Sequence, residues 1–394
     1  MSTLARKDRK VTPSKRRLKV CLATWAPFIG GAEVALERLA LGLREAGHEV
    51  LVVVGEENEV LERLVEAGLR CQYSQMYLTD KWHWLRYVRA RRRLGRLLRE
   101  YAPNVVHSND LPTHQFVSDA AGGLKVPRIT HHRYPFGGVA LDWMNKYGCE
   151  RHLFVSQALM NEVCRESEKI AGCPRGVVYD GLEIPPLPTP DERDAARAGL
   201  GLPHDKTIVT FAGQIVERKG VADLLHAWGR LTRWHARAEL VIIGDDLEGQ
   251  GKYLVEMKRL ARELSCPARF EGFQKNVPLW LAASDVAVVP SHVEPLGNAT
   301  LEAMSYALPV IGGNVGGIPE MIVGETTGLL VPPRTPDKLA QAIERLLADE
   351  PFRLRLGKAA RRRCEEKFSL SAHVESTVEQ YKIALQTMQS GAAR

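Results

Sequence analysis

The sequence predicts an α/β protein of two doubly wound domains. Three observations lead there. Short apolar strands alternate with amphipathic helices from Leu18 onward. A proline-rich stretch interrupts that alternation near the middle, and the alternation then restarts. At 394 residues the chain is long enough for two domains, each with its own core.

Residues 1–17 are polar and basic, without apolar periodicity, and read as a disordered arm. The first domain is expected over 18–184. Leu18 to Thr24 is an apolar strand, followed by the loop Pro27 to Glu33 and a helical pattern from Val34 to Ala46, which Gly47 stops. Further strands are expected at Val50 to Val54, Asn104 to His107, Arg128 to His131 and Leu153 to Ser156. Residues 185–203 read as a linker, because prolines at 185, 186, 188 and 190 continue neither a helix nor a central strand. A second domain over 204–370 repeats the pattern. Its strands begin with Thr207 to Ala212 and Glu239 to Ile243, and continue at Ala268, Val286 and Pro309. The helices Val221 to Leu231, Tyr253 to Leu264 and Ala299 to Ala307 lie between them. A terminal helix over 371–394 is expected to pack toward the first domain. Alternation of this kind implies parallel sheets covered on both faces.

Composition narrows the function class. Hydrophobic residues are 45% and charged residues 26%, an ordinary globular balance. The net charge of +7 is concentrated: residues 1–19 and 81–101 each carry +7, leaving −7 on the rest. Two basic patches on a mildly acidic protein differ from a uniformly basic nucleic-acid binder. The seven cysteines form no CxxC pair, no apolar leader precedes Leu18, and no stretch of about 18 apolar residues occurs. A reduced, cytoplasmic setting is the expectation.

The segment Glu294-Pro-Leu-Gly-Asn-Ala-Thr-Leu-Glu302 carries the most chemistry. It follows the apolar strand Val286 to Pro290 and leads into a helix. Ligands of open α/β sheets sit beyond the carboxyl ends of strands. A helix starting near Asn298 directs its first amides there and forms a phosphate site, with Leu296, Gly297, Asn298, Ala299 and Thr300 as its backbone. Gly297 permits close approach. Glu294 before the helix and Glu302 one turn into it are placed to accept hydroxyls on either side of a diphosphate. Arg218 and Lys219 follow the strand ending at Ala212 and Gly213 and add two cations. Fixed cations aimed at a departing diphosphate lower the barrier to its release. They also make a divalent metal unnecessary, and no Asp-x-Asp pair is present to hold one. Asp245 either meets a base or ribose or simply ends a strand.

Taken together, residues from about Leu18 to Lys382 resemble the family 4 retaining glycosyltransferases of the GT-B fold. Phe211-Ala-Gly-Gln, Arg218-Lys219-Gly220, Val241 to Gly244, Phe270 to Phe273, Glu294 to Glu302, Val315 to Glu320 and Gly328 to Val331 occur in that family's order. The resemblance implies two Rossmann-like domains facing a central cleft and a UDP- or GDP-sugar donor without a further cofactor. It assigns the diphosphate to Arg218 and Lys219, the ribose to Glu302 and the donor sugar to Glu294. It also places the base at the backbone around Phe273. Gly30-Gly31 with Glu33 is similar to the family's first loop, where amides face donor phosphate and acceptor; the alternative is a plain strand-to-helix turn. Retention implies attack on the face that the leaving group departs, with the departing phosphate oxygen taking the acceptor proton.

The acceptor half is less marked. The family often has His-x-His where this chain has His107-Ser108-Asn109. His107 therefore either faces the acceptor or is a core residue, and Asn109, Asp110, His131 and His132 are the other candidates. The expected acceptor is a glycan, lipid-linked glycan or small glycoside. Residues 82–101 read as a helix with Trp84, Tyr87, Val88, Leu94, Leu98 and Tyr101 on one face. With residues 1–19 it is read as docking on an anionic membrane, as binding an anionic acceptor, or as a sheet-covering helix with solvated arginines. Rivals to transfer are a phosphorylase or epimerase of the same fold, or an idle regulatory protein using the same site.

Overall fold

The computed structural model describes residues 17–78 and 84–391. The chain divides into two compact units. One runs to Leu182 and takes in the chain from Ser369; the other is Glu183–Phe368.

The first unit holds seven strands, β1 (Lys19–Thr24), β2 (Glu49–Val54), β3 (Cys71–Tyr73), β4 (Val105–Ser108), β5 (Arg128–His132), β6 (Arg151–Phe154) and β7 (Arg175–Val177). They lie in the order 3-2-1-4-5-6-7, with every neighbouring pair parallel. Alternation along the strands explains the layering, because successive side chains face opposite sides. Val20 and Leu22 of β1 join a cluster with Leu36, Leu39, Val374 and Tyr381. Cys21 and Ala23 join a separate one with Leu94, Leu98 and Phe116. Both faces of the sheet are thus buried, and the apolar runs in β1 and β2 follow from that. The last helix, Leu370–Gly391, packs on the helix Gly31–Glu45.

The second unit holds β8 (Thr207–Ala212), β9 (Ala238–Ile243), β10 (Ala268–Gly272), β11 (Val286–Val289), β12 (Val310–Gly313) and β13 (Gly328–Val331). Their order is 10-9-8-11-12-13, again all parallel. Val209 and Phe211 pack on Leu224, Trp228 and Leu346. Ile208 faces the other way, onto Ala196, Leu202 and Trp280.

That second cluster revises the reading of residues 185–203 as a linker. Pro190–Gly199 is a helix, with Thr189 and Glu192 forming a capping box. Pro190 stands in the first turn, where its missing N–H has no helical partner to lose. Arg197 is buried and its guanidinium bonds Asp285 (2.6 Å) at the start of β11. Asp285 in turn accepts the Ile208 amide (2.7 Å). The cluster of prolines marks the entry to a helix that covers the sheet. Residues 1–16 and 79–83, which include most of the basic arm, lie outside the described residues.

Candidate active site at the switch point of the second sheet

In the second sheet, the chain leaves β8 toward one side and β11, its neighbour, toward the other, which opens a crevice at their carboxyl ends. The loops after these two strands carry Arg218, Lys219 and Glu294. The structure brings Lys219 and Glu294 together: the Lys219 ammonium donates to Glu294 Oε2 across 75 residues of sequence. Ser291 Oγ donates to the same oxygen at 3.0 Å. The side chains of Lys219 and Glu294 are 18% and 9% exposed, so this ion pair is largely shielded from solvent.

The backbone here is fixed by close packing. Gly220 has φ +71°, and a Cβ there would stand 2.1 Å from the Pro290 carbonyl oxygen, so only glycine lets the Arg218-Lys219 turn lie against the end of β11. The His292 amide donates to the Arg218 carbonyl (2.7 Å), and His292 Nε2 lies 2.7 Å from Asp223 Oδ2 in the next helix. The Gly317 amide donates to the Glu294 carbonyl at 3.0 Å. The helix Asn298–Ser305 then begins with Gly297 at its cap, φ +106°. Leu296 and Thr300 are buried, Asn298 is half-buried, and Glu302 sits half-buried one turn in. Ala299 lies between Asn298 and Thr300 in this first turn.

Arg218 is placed differently from Lys219. Its Nη2 donates to Gln214 Oε1 and to Glu248 Oε1, both at 2.8 Å, and the Arg218 and Glu248 side chains are 40% and 50% exposed. Gly213, at the end of β8, bonds the Ile243 carbonyl (3.0 Å). Asp245 Oδ1 accepts the Asp246 amide (2.8 Å) and its carbonyl accepts the Ile215 amide (2.9 Å). The Asp246 carboxylate is taken up by the Gly249 and Tyr253 amides, at 2.6 and 2.8 Å. Phe273 is 63% exposed.

The first sheet has the same switch point, between β1 and β4. Gly30 caps the helix Gly31–Glu45, and its amide donates to Glu33 Oε2 (3.0 Å). Burial raises the Glu33 pKa against the lowering effect of backbone amides and of Arg133. Asn109 donates to the Ala32 carbonyl (3.1 Å) and accepts from Arg133 Nε (2.9 Å). Arg133 is itself buried and its Nη1 donates to both oxygens of Asp180, each at 2.8 Å. Asp110 caps the helix Leu111–Ala121 through the Thr113 amide (2.7 Å).

His107 is a core residue by its packing. It is 2% exposed, 2.7 Å from the Tyr381 hydroxyl, and stacked on His131 at 5.6 Å. Burial pushes its pKa down to about 3. His131 lies beside the Val178 carbonyl (3.2 Å), and His132 Nε2 is 2.9 Å from His152 Nδ1. Sequence reasoning missed Arg133, Asp180, Ser291, His292 and Glu248. The one local signal was a charged residue directly after the buried strand β5; the pairings themselves join distant segments.

Two family profiles match the chain, one in each half: Glycosyltransferase Family 4 over residues 29–180 and Glycosyl transferases group 1 over 192–363. The chain belongs to the family 4 glycosyltransferases. An uncharacterized glycosyltransferase of Methanocaldococcus jannaschii is 28% identical, over 94% of this chain and 100% of that one. A Mycobacterium tuberculosis glycogen synthase is 27% identical over 93% and 95%. Among solved structures, Anabaena HepE in complex with UDP and glucose superposes with a TM-score of 0.81 at 19% identity, covering 93% and 100%. The fold of this glycosyltransferase is GT-B.

Proposed function

We propose that this glycosyltransferase transfers a hexose-type sugar from a UDP- or GDP-linked donor to a hydroxyl acceptor with retention, and needs no divalent metal. The observation that carries the reading is the Lys219–Glu294 contact beside the start of the helix Asn298–Ser305. The helix start and Lys219 hold the diphosphate, with Arg218 adding a second cation. Glu294 and Glu302 accept sugar and ribose hydroxyls. Gly213, Asp245 and the backbone at Phe273 border the nucleoside, and Gly30-Gly31 lies at the corresponding place in the first unit. His107 is left out of the reacting set because the core encloses it.

In the step proposed, the bond from the anomeric carbon to the phosphate oxygen breaks while the acceptor oxygen bonds that carbon on the same face. The departing phosphate oxygen takes the acceptor proton. The contacts of Glu294 support a role in holding rather than attacking, since one of its oxygens already carries Lys219 and Ser291. Those of Asp246 support the metal-free reading, since two amides occupy its carboxylate.

The test is thermal shift with UDP, GDP and ADP, followed by turnover of the matching sugar nucleotides in chelator, with the product anomer read by NMR. UDP-glucose comes first among donors, because another HepE structure is a complex with UDP-glucose. Glycans come first among acceptors, because the M. tuberculosis relative is a glycogen synthase. If none of the three nucleotides raises the melting temperature, the reading fails.

A membrane contact belongs to the same proposal. Among the described residues no helix is long and apolar enough to cross a membrane. The helix Trp84–Tyr101 buries Tyr87, Leu94, Leu98 and Tyr101, while Trp84 (58% exposed) and Leu85 (52%) face out, beside exposed Arg89, Arg92, Arg96 and Arg99. Exposed aromatic and apolar residues beside an arginine stripe support docking on anionic lipid at the cytoplasmic face. Co-sedimentation with vesicles of anionic and of neutral lipid tests it; equal recovery from both at low salt removes it.

A further inference from the structure

We infer that Glu248 is a built-in competitor for the donor's diphosphate, and that it sets how tightly the nucleotide is held. The inference rests on the donor site proposed above. Both cations of that site already carry a carboxylate, but the two pairs differ. Lys219 and Glu294 are shielded, and Ser291 braces the carboxylate. A ligand that displaced Glu294 would leave a buried charge uncompensated. Arg218 and Glu248 are each 40% or more exposed, so their separation leaves both charges hydrated at little cost.

Glu248 does not arrive at Arg218 by chance of a loose loop. It lies between Asp246, whose carboxylate accepts the Gly249 and Tyr253 amides, and Gly251, whose amide donates to the Asp246 carbonyl (3.0 Å). A Cβ at Gly249 would stand 2.5 Å from Asp246 Oδ2, so the turn closes tightly around that carboxylate. The turn therefore holds an acidic side chain over Arg218, from the end of β9, the strand next to β8. A diphosphate approaching Arg218 must replace the carboxylate, and the carboxylate returns as the diphosphate leaves. Gln214 keeps its bond to the same guanidinium and preserves its orientation during the exchange.

Glu248→Gln keeps the size of the side chain and removes the competing charge. Calorimetry with UDP, GDP and ADP on the full chain reads the effect. For whichever nucleotide the wild type binds, Kd should tighten about three- to fivefold at low salt. The gain should shrink to under twofold at about 1 M salt, where the Debye length is about 3 Å. Glu325→Gln is the control for overall charge: Glu325 pairs with Arg345 at 2.7 Å and is similarly exposed. Unchanged binding in Glu248→Gln, or an equal gain in Glu325→Gln, overturns the inference while the donor reading stands. A wild-type chain that binds none of the three overturns both.

Discussion

The two units build the same switch point from the same order of six strands, to which the first unit adds β7, and they fill it with opposite chemistry. In the second unit, between β8 and β11, the filling is charged: Lys219 on Glu294, with Arg218 on Glu248 beside it. In the first, between β1 and β4, uncharged and buried groups dominate: Asn109 on Ala32, and a histidine cluster behind it under Tyr381. Among its charges, Arg133 and Asp180 pair with one another in the interior, while Glu33 and Asp110 accept backbone amides. The doubly wound sheet supplies the place, and the residues at the strand ends decide which side chains fill it.

The sharpest way to separate the units is acid. His107, His114, His131, His132, His152 and His373 are all buried in the first unit with pKa values lowered by burial. The folded unit leaves them neutral while the unfolded chain protonates them near the ordinary histidine value of 6.5. Stability is therefore present above about pH 6.5 and lost as pH falls toward 4 to 3, where His114 and His373 (about 4) and His107 and His152 (about 3) titrate in place. Each proton taken up only on unfolding adds about 1.4 kcal/mol per pH unit to the loss. Hydrogen exchange between pH 7 and 4.5 should show β4 to β6 deprotected before β8 to β12. Simultaneous loss would mean that the histidines do not distinguish the units.

Next in size, Asp180→Ala leaves the Arg133 guanidinium buried without its carboxylate. It should cost about 3–5 kcal/mol of stability in the first unit. UDP or GDP affinity, read by calorimetry on the folded fraction, should not change. A weaker nucleotide affinity would join the two sites that the comparison separates.

Lys219→Ala acts on the other side. It removes the shielded cation of the charged switch point, leaving Arg218, and should lower kcat about 10²- to 10³-fold, with donor turnover as the measurement. A residue serving only to neutralise Glu294 would instead be rescued by Glu294→Gln in the double variant, which provides the discriminating arm. The smallest effect is expected from Tyr381→Phe, which deletes one buried hydrogen bond to His107 and should cost about 1 kcal/mol, seen as a lower Tm with kcat unchanged. A drop in kcat there would return His107 to the reacting set.

Much of the fold is legible along the chain. The mostly apolar runs of β1, β2, β8 and β9 are a local signal, since both sheet faces are buried. The glycine-initiated helix at Asn298 is legible for the same reason: cap and strand lie within a dozen residues. The helix Pro190–Gly199 is obscured because its prolines, read as breakers, stand before and at its first turn, where proline is accepted. The acceptor side misleads because His107 lies near the end of β4, as a reacting residue would, while His131 of β5 and Tyr381 of the last helix enclose it.

Sequence by itself therefore determined the class of fold, the positions of the strand ends and which of them carry cations and carboxylates. Periodicity, capping and glycine placement are fixed by neighbours in the chain, so they can be read along it. Only the tertiary structure decided the partners: Lys219 with Glu294, Arg218 with Glu248, Arg133 with Asp180, and His107 with Tyr381, which is 274 residues away. Those contacts depend on strand order and on which helix returns to which sheet. A parallel sheet sets them by crossover connections that leave no mark at the residues they bring together.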